Sequence, residues 1–387
     1  MKLKHFFSIF MAIALIFSFS VSELQVEADS NESNSEDSEI IVKFKEKTTK
    51  EDKQKIHKEE NAEVLRANEE IGFEVIKVKG KSVEKALEKY NKRSDVEFAE
   101  AIVEYYALFD PNDPLYSSDQ YGPQIIEADS AWDITTGSSN VLVAVIDTGV
   151  DEDHEDLAGK VVRGYDFIDD DRDPSDLNGH GTHVAGTVGA LTDNRTGVAG
   201  VAPDVQIMSV RVLDRSGYGT NEGVANGITY AADNGADVIN LSLGSSSPSG
   251  VVEDAVNYAW NRGVVVVAAA GNDGNRRAHY PAYYTNSLAV AATDDRDRKA
   301  SFSTYGTWVD VAAPGVDIVS TQLGGGYVSY SGTSMAAPHT AGLAALLASQ
   351  GLSNTEIRDQ IESTADPIRG TGRYWEHGRI NAFEAVR

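Results

Sequence analysis

Three polar residues of this chain stand where an apolar run meets a glycine-containing turn, and together they supply an acid, a base and a nucleophile. Asp147 closes the run VLVAVID and enters a Thr-Gly turn, which places its carboxylate at the end of a buried strand. His180 and His183 lie in NGHGTHVAG, at the start of an Ala/Val/Gly-rich helix. Spacing alone does not choose between them as the base, although a histidine among small residues also serves as a hydrogen-bonding core residue, the reading expected for His183. Ser334 begins the apolar helix of SGTSMAAPHTAGLAALLASQ, where it is expected at the N-cap with Pro338 inside the first turn. A hydroxyl there sits at the positive end of a helix dipole, with its own N–H free to face a developing oxyanion. Asn272, at the end of VVVVAAAGN, is delivered to the same edge.

Other chemistries for these residues lack parts. A lone D-[ST]-G cannot supply the paired carboxylates of an aspartic protease. No HExxH and no further nearby histidine supports zinc at His180 and His183. Ala336 stands where a lipase-type GxSxG would need glycine. Cys-ligated metal, thiol catalysis and disulfide scaffolds are excluded together, because the chain has no cysteine.

The elements that must position these groups are apolar strands alternating with helices. VLVAVID, VQIMSVRV, ADVINLSL and VVVVAAAG are separated by helix-like runs at Thr182 to Leu191, Asn221 to Asn234 and Val251 to Asn261. Near-continuous apolar strands alternating with helices predict an α/β fold, a doubly wound, mostly parallel sheet flanked by helices. Sites in such a sheet form at the carboxyl ends of the strands, where Asp147 and Asn272 fall.

The chain has 387 residues, 34 Lys+Arg against 60 Asp+Glu and a net charge of -26, with 41% hydrophobic residues. This describes a folded acidic protein long enough for two or three cores. Nucleic acid is not expected as a partner, because a polyanion recruits basic stripes. Lys2 and Lys4 precede the apolar run Phe6 to Val21, and Val26 and Ala28 offer a small-residue cleavage pair. Residues 1–28 therefore read as a signal peptide rather than a spanning helix. A secreted, extracellular protein is expected, free of the membrane after cleavage and monomeric.

Residues 29–39 form an acidic linker. From 40 to 106 the pattern changes to strand, helix, strand, strand, helix, strand, which predicts a small α+β ferredoxin-like unit. Charge separates this unit from the remainder at 107–387. Residues 1–106 carry 17 Lys+Arg and 22 Asp+Glu, whereas the remainder carries 17 against 38, a balance of -21, with Lys160 and Lys299 its only lysines. The boundary falls at the double-proline stretch FDPNDP.

VIDTGV, NGHGTHVAG and GTSMAAPH, in the chain order Asp147, His180, Ser334, resemble the three signature segments of subtilisin-like serine proteases, the subtilase family. The Asp110 to Asp133 stretch and SFSTYG are most similar to the thermitase-like branch. The resemblance implies that His180 is the base, Asp147 its orienting carboxylate and Ser334 the nucleophile of a broad-specificity endopeptidase working through an acyl-enzyme. It further implies that the Asn272 amide joins the Ser334 N–H in the oxyanion hole. Ser242, Leu243 and Gly244, with Ala270 and Gly271, would be the backbone edges that pair with an extended peptide substrate. Residues 40–106 would be a propeptide, an intramolecular inhibitor and folding aid removed by self-cleavage between 105 and 109.

Structural calcium suits an exported fold without disulfides. The loop DFIDDDRDPSD offers Asp166, Asp169, Asp171 and Asp173, equally readable as a solvated acidic loop until the resemblance favours a Ca²⁺ site. The branch's stronger calcium site maps onto Asp113, Asp156, Asn194 and the carbonyls of Leu191, Thr196 and Val198. His279 and Tyr280 fall near the wall of the primary substrate pocket, and the small Ala270-Gly271 edge suggests room for large apolar or aromatic side chains.

Overall fold

The computed structural model describes residues 37–103 and 110–387. The expected signal peptide, most of the linker and the expected self-cleavage segment lie outside the described residues. The chain divides into two compact units, 1–106 and 107–387.

In the N-terminal unit β1 (Ser38–Phe44), α1 (Lys50–Glu59), β2 (Ala62–Asn68), β3 (Phe73–Val78), α2 (Val83–Asn91) and β4 (Val96–Ala101) follow in sequence. The strands form an antiparallel sheet in the order β2-β3-β1-β4. Strand β1 alternates buried and more exposed residues along SEIIVKF, the period of a half-buried strand. Ile40, Val42, Phe44, Ile76 and Val78 pack with Ile56, Ala86 and Tyr90 from the two helices into one small core. Thr49 caps α1 by accepting from the Asp52 N–H.

The larger unit opens with three short helices, α3 (Tyr116–Asp119), α4 (Tyr121–Ile125) and α5 (Ala128–Trp132). There follow β5 (Leu142–Asp147), β6 (Val161–Asp166), α6 (His180–Gly189), β7 (Gln206–Arg211), α7 (Asn221–Asp233), β8 (Val238–Leu241), α8 (Gly250–Trp260) and β9 (Val265–Ala269). After β10 (Leu288–Thr293) and β11 (Val311–Pro314) come the hairpin β12 (Ile318–Thr321) and β13 (Tyr327–Tyr330), then α9 (Thr333–Ser349), α10 (Asn354–Ser363), β14 (Gly378–Arg379) and α11 (Ala382–Val386). The eight-stranded sheet has the order β14-β11-β10-β9-β8-β5-β7-β6, and its strand pairs are parallel.

Alternate residues of the central strands serve two cores. Val143, Val145, Val265 and Val267 face a layer containing α6 and α9, whereas Ala144, Ile146, Val266 and Ala268 face α7 and α8. A strand covered on both faces has no polar side to present, which is why these segments read as continuous apolar runs. Helix α9 is apolar all round and buried along nearly its whole length, as a central helix must be. Among the described residues no helix is long and apolar enough to cross a membrane.

Candidate active site

Asp147 ends β5 and is fully buried. Its Oδ1 accepts from the Thr148 N–H at 2.7 Å and lies 2.8 Å from Nδ1 of His180. His180 is the first residue of α6, which begins two residues earlier than the periodicity suggests. The helix start is held by Asp176, which the sequence did not single out. Its Oδ1 accepts from the N–H groups of Asn178 and Gly179 and from the Thr148 hydroxyl, and its Oδ2 from the N–H and hydroxyl of Thr182. A buried carboxylate thereby satisfies first-turn N–H groups that a helix leaves unpaired. Gly179 has φ 104°, a left-handed turn that glycine adopts without strain. A side chain at Gly181 would collide with the Gly149 carbonyl, so the turn after Asp147 and the helix of His180 can meet only through glycine. Burial pulls the His180 pKa down, but the charge and hydrogen bond of Asp147, with Asp176 adding, leave it above its ordinary value.

His183 takes the structural role. Its Nε2 bonds the Ile318 carbonyl at 2.9 Å, its ring stacks on Tyr330 at 4.6 Å, and burial lowers its pKa to about 4.

Ser334 is not the N-cap. Helix α9 begins at Thr333 with Gly332 as its cap residue, so Ser334 is the second helical residue and Pro338 lies beyond the first turn. The cause is a cap supplied from outside the segment. Oδ1 of Asn272 accepts from the Thr333 N–H at 2.9 Å and from the Thr333 hydroxyl at 3.0 Å. Proline at 338 has no N–H to reach back to the Ser334 carbonyl. That carbonyl instead accepts from the Ser242 hydroxyl at 2.8 Å, while the Ser334 hydroxyl donates to the Ser242 carbonyl at 3.1 Å.

With Oδ1 committed to Thr333, the Asn272 amide NH₂ is the free end of that side chain. Its Nδ2 and the backbone N of Ser334 lie 3.5 and 3.6 Å from the point where a Cβ on Gly332 would stand, so both donors lie close to Gly332. Thr333 also accepts from the Gly271 N–H at 3.1 Å, which locks the end of β9 to the start of α9. Thr333 is a positioning residue that sequence reasoning missed.

Ser242, Leu243 and Gly244 border a groove of about 610 Å³ that is also lined by His180, Tyr218 and Tyr284. Among the described residues no backbone hydrogen bond engages Leu243 or Gly244, which leaves that edge open to an extended chain. Ala270 and Gly271 continue β9 and are buried. Tyr280 lines the same groove, and its backbone exchanges two hydrogen bonds with Ser245.

The predicted metal ligands separate into two different places. Asp113 and Asp156 are buried and make no ion pair among the described residues. Burial raises both pKa values against the N–H groups that stabilise them, and the charge of Asp156 adds to the rise at Asp113. Asn194 joins them, its N–H lying 3.5 Å from Asp113 and its amide donating to Asp156 at 2.8 Å. Among the described residues nothing donates to the carbonyls of Leu191, Thr196 or Val198. In the 166–173 loop, by contrast, Asp166 and Asp169 both bind the buried Arg211, at 2.5 and 2.8 Å. Asp171 and Asp173 are exposed and accept from the Asp173 N–H and the Ser175 hydroxyl. Among the described residues no three His, Cys, Asp or Glu side chains converge as a metal cage.

A model of the subtilase family matches residues 138–380, a span that holds Asp147, His180, Asn272 and Ser334. The chain belongs to the subtilase family. A second family, the fervidolysin N-terminal prodomain, matches residues 24–101, so this subtilase is a secreted serine protease that carries an N-terminal prodomain. The chain is 56% identical over 350 residues to the thermophilic serine proteinase of Bacillus sp. (strain AK1), covering 90% of this chain and 87% of that one. It is 61% identical over 279 residues to thermitase of Thermoactinomyces vulgaris, covering 72% of this chain and 100% of thermitase. Among solved structures, the proteases from Pseudoalteromonas arctica PAMC 21717 superpose with a TM-score of 0.66 at 35% identity, over 71% of this chain and 98% of theirs.

Proposed function

We propose that this subtilase is a calcium-stabilised endopeptidase that hydrolyses peptide bonds through an acyl-enzyme on Ser334. The observation that carries the reading is the His180–Asp147 pair at the start of α6, together with the Ser334 N–H and the Asn272 amide held against Gly332 at the start of α9. An extended substrate would lie along the open Leu243–Gly244 edge as an added strand, with its carbonyl oxygen turned towards those two donors. His180, held by Asp147, takes the proton from the Ser334 hydroxyl as the oxygen attacks the carbonyl carbon. The two donors stabilise the oxyanion of the tetrahedral intermediate. His180 then returns the proton to the departing amine, and water repeats the sequence on the acyl-enzyme. Asp147 fixes the imidazole tautomer and stabilises its cationic form without itself taking the proton. The hydroxyl rests on the Ser242 carbonyl without substrate, and bond exchange on binding is the expected behaviour of a free active site.

Calcium is assigned to the Asp113 and Asp156 pair. Two buried carboxylates that make no ion pair among the described residues, an amide and three unengaged carbonyls make a set of hard oxygen donors suited to Ca²⁺. An ion there would fasten the 191–198 loop to the segment before α3. The strand order of the N-terminal unit supports a ferredoxin-like prodomain, which we assign as the intramolecular inhibitor and folding aid.

Labelling and maturation test the reading together. A fluorophosphonate probe should label the mature wild-type protein on Ser334, and the Ser334→Ala precursor should stay uncut at 105–109. Clean self-maturation of that variant would overturn the nucleophile assignment.

A further inference from the structure

Asn240 breaks an apolar row in the middle of the large sheet. It lies in β8 with Val145 of β5 on one side and Val267 of β9 on the other. Val145, Val238 and Val267 face the layer of α6 and α9, while the flanking Ile239 and Leu241 face α7 and α8, so the pleat turns the Asn240 side chain towards α9. The residue is fully buried. Its Nδ2 donates to the Ser242 hydroxyl oxygen at 2.9 Å, and its enclosed Oδ1 has no partner among the described residues. A buried amide carbonyl without a donor is destabilising, and a third valine in that row would avoid the cost. Packing therefore does not account for asparagine at this position.

What the amide does is fix a direction. A serine hydroxyl has one proton and can accept as well as donate, whereas an NH₂ group only donates. Nδ2 of Asn240 thus takes the acceptor side of the Ser242 hydroxyl and turns the hydroxyl proton away from itself. That proton goes to the Ser334 carbonyl at 2.8 Å, which Pro338 leaves without its helical donor. A hydrogen-bond relay runs from Asn240 through Ser242 to the backbone of the nucleophile. Ser334 is held on both sides, since Asn272 accepts from the N–H and hydroxyl of Thr333 just before it and Ser242 donates to its own carbonyl. A Ser242 hydroxyl free to turn would leave that carbonyl unpaired for part of the time and loosen the orientation of the Ser334 N–H. The Asn240 side chain is absent from the lining of the groove, so it acts from behind the site.

We propose that Asn240 is a positioning residue of the protease, which through the Ser242 hydroxyl holds the Ser334 backbone in the orientation that turns its N–H towards the oxyanion. This rests on the protease reading and adds a residue to it. A preorganised donor matters most where charge develops, so loss of the relay falls on kcat rather than KM.

The test is a double-mutant cycle on kcat and KM for one peptide substrate, with mature enzyme counted by fluorophosphonate titration. Asn240→Val should lower kcat by roughly tenfold, the scale of one lost hydrogen bond in a preorganised site, and leave KM within about twofold of wild type. Asn240→Ala, which cannot overfill the site, should do the same. Ser242→Ala should lower kcat at least as much. Adding Asn240→Val to it should change kcat by no more than about twofold, because the relay is already cut. Unchanged kcat in both Asn240 variants would overturn the proposal, whatever happens to the melting temperature. Full multiplication of the two losses in the double variant, or a change confined to KM, would overturn it as well. Wild-type enzyme that neither takes the probe nor cuts the peptide would instead count against the protease reading itself.

Discussion

The Asp113–Asp156 pair and the 166–173 loop are both acidic, and both lie in the unit whose balance is -21, but only the loop is ion-paired to a buried cation, Arg211 of β7. Arg211 ends β7 beside Asp166 at the end of β6, and the parallel register of those strands sets them opposite each other. The guanidinium binds Asp166 and also reaches the exposed Asp169. At Asp113 and Asp156 the compensation is N–H groups, the Asn194 amide and, at Asp156, the Tyr327 hydroxyl and the nearby His154, and burial works against ionisation at both. Lys160 is near in space, and the charge of Asp156 acts on it, but it is buried and spends its hydrogen bonds on the carbonyls of Gly189 and Pro203. Acidic composition therefore does not identify an ion site. On the proposed reading, what would distinguish one is carboxylate charge that the chain does not ion-pair.

The largest effect expected from this contrast is at Arg211. Replacing it by methionine in the Ser334→Ala background leaves Asp166 buried without its partner, and breaking such a pair costs about 3–5 kcal/mol. Chemical denaturation should show that loss, and calcium should not restore it. Restoration by calcium would mean that the loop can hold an ion in place of the guanidinium, and the contrast would fail. Next in size is calcium itself. An ion bound only by the folded state at a hundred times its Kd adds about 2.7 kcal/mol. The Ser334→Ala precursor, which cannot digest itself, should melt at a higher temperature in calcium than in chelator. Asp156→Asn should remove most of that difference, and identical melting curves for the unsubstituted precursor in the two buffers would remove calcium from the account.

How much of this could be read from the chain depends on sequence distance. Asp147 was legible because it sits at a strand end that apolar patterning marks on its own, whereas His180 was separated from His183 only by the resemblance, since the helix starts two residues before the patterning suggests. In the N-terminal unit β1 was legible from its alternation, while β2 to β4 do not alternate strictly. Strands β10 and β11 gave little signal, because LAVAAT and VAAP are rich in alanine, which has weak strand preference. The N-cap of α9 was misplaced because its cap comes from Asn272, 61 residues before Thr333. The Arg211–Asp166 pair spans 45 residues and exists only through the β6–β7 register. The loop therefore read as a metal site while its cation was hidden elsewhere in the sequence.

The smallest effects should come from the outer half of the loop. Asp171 and Asp173 are exposed, their side chains accept from the Asp173 N–H at 2.8 Å and the Ser175 hydroxyl at 2.6 Å, and Asp173 adds an exposed ion pair to Arg163 at 3.9 Å. Asparagine keeps an acceptor oxygen at each position, so Asp171→Asn and Asp173→Asn should change stability by no more than about 0.5 kcal/mol, the range of ordinary surface substitutions. The informative measurement is the calcium-dependent part of the melting temperature rather than the temperature itself. If the loop needs no ion, that increment is the same in both variants as in the unsubstituted precursor. If it shrinks in either, the exposed carboxylates hold a second ion outside the reach of Arg211. The two acidic regions would then differ in strength of binding rather than in kind.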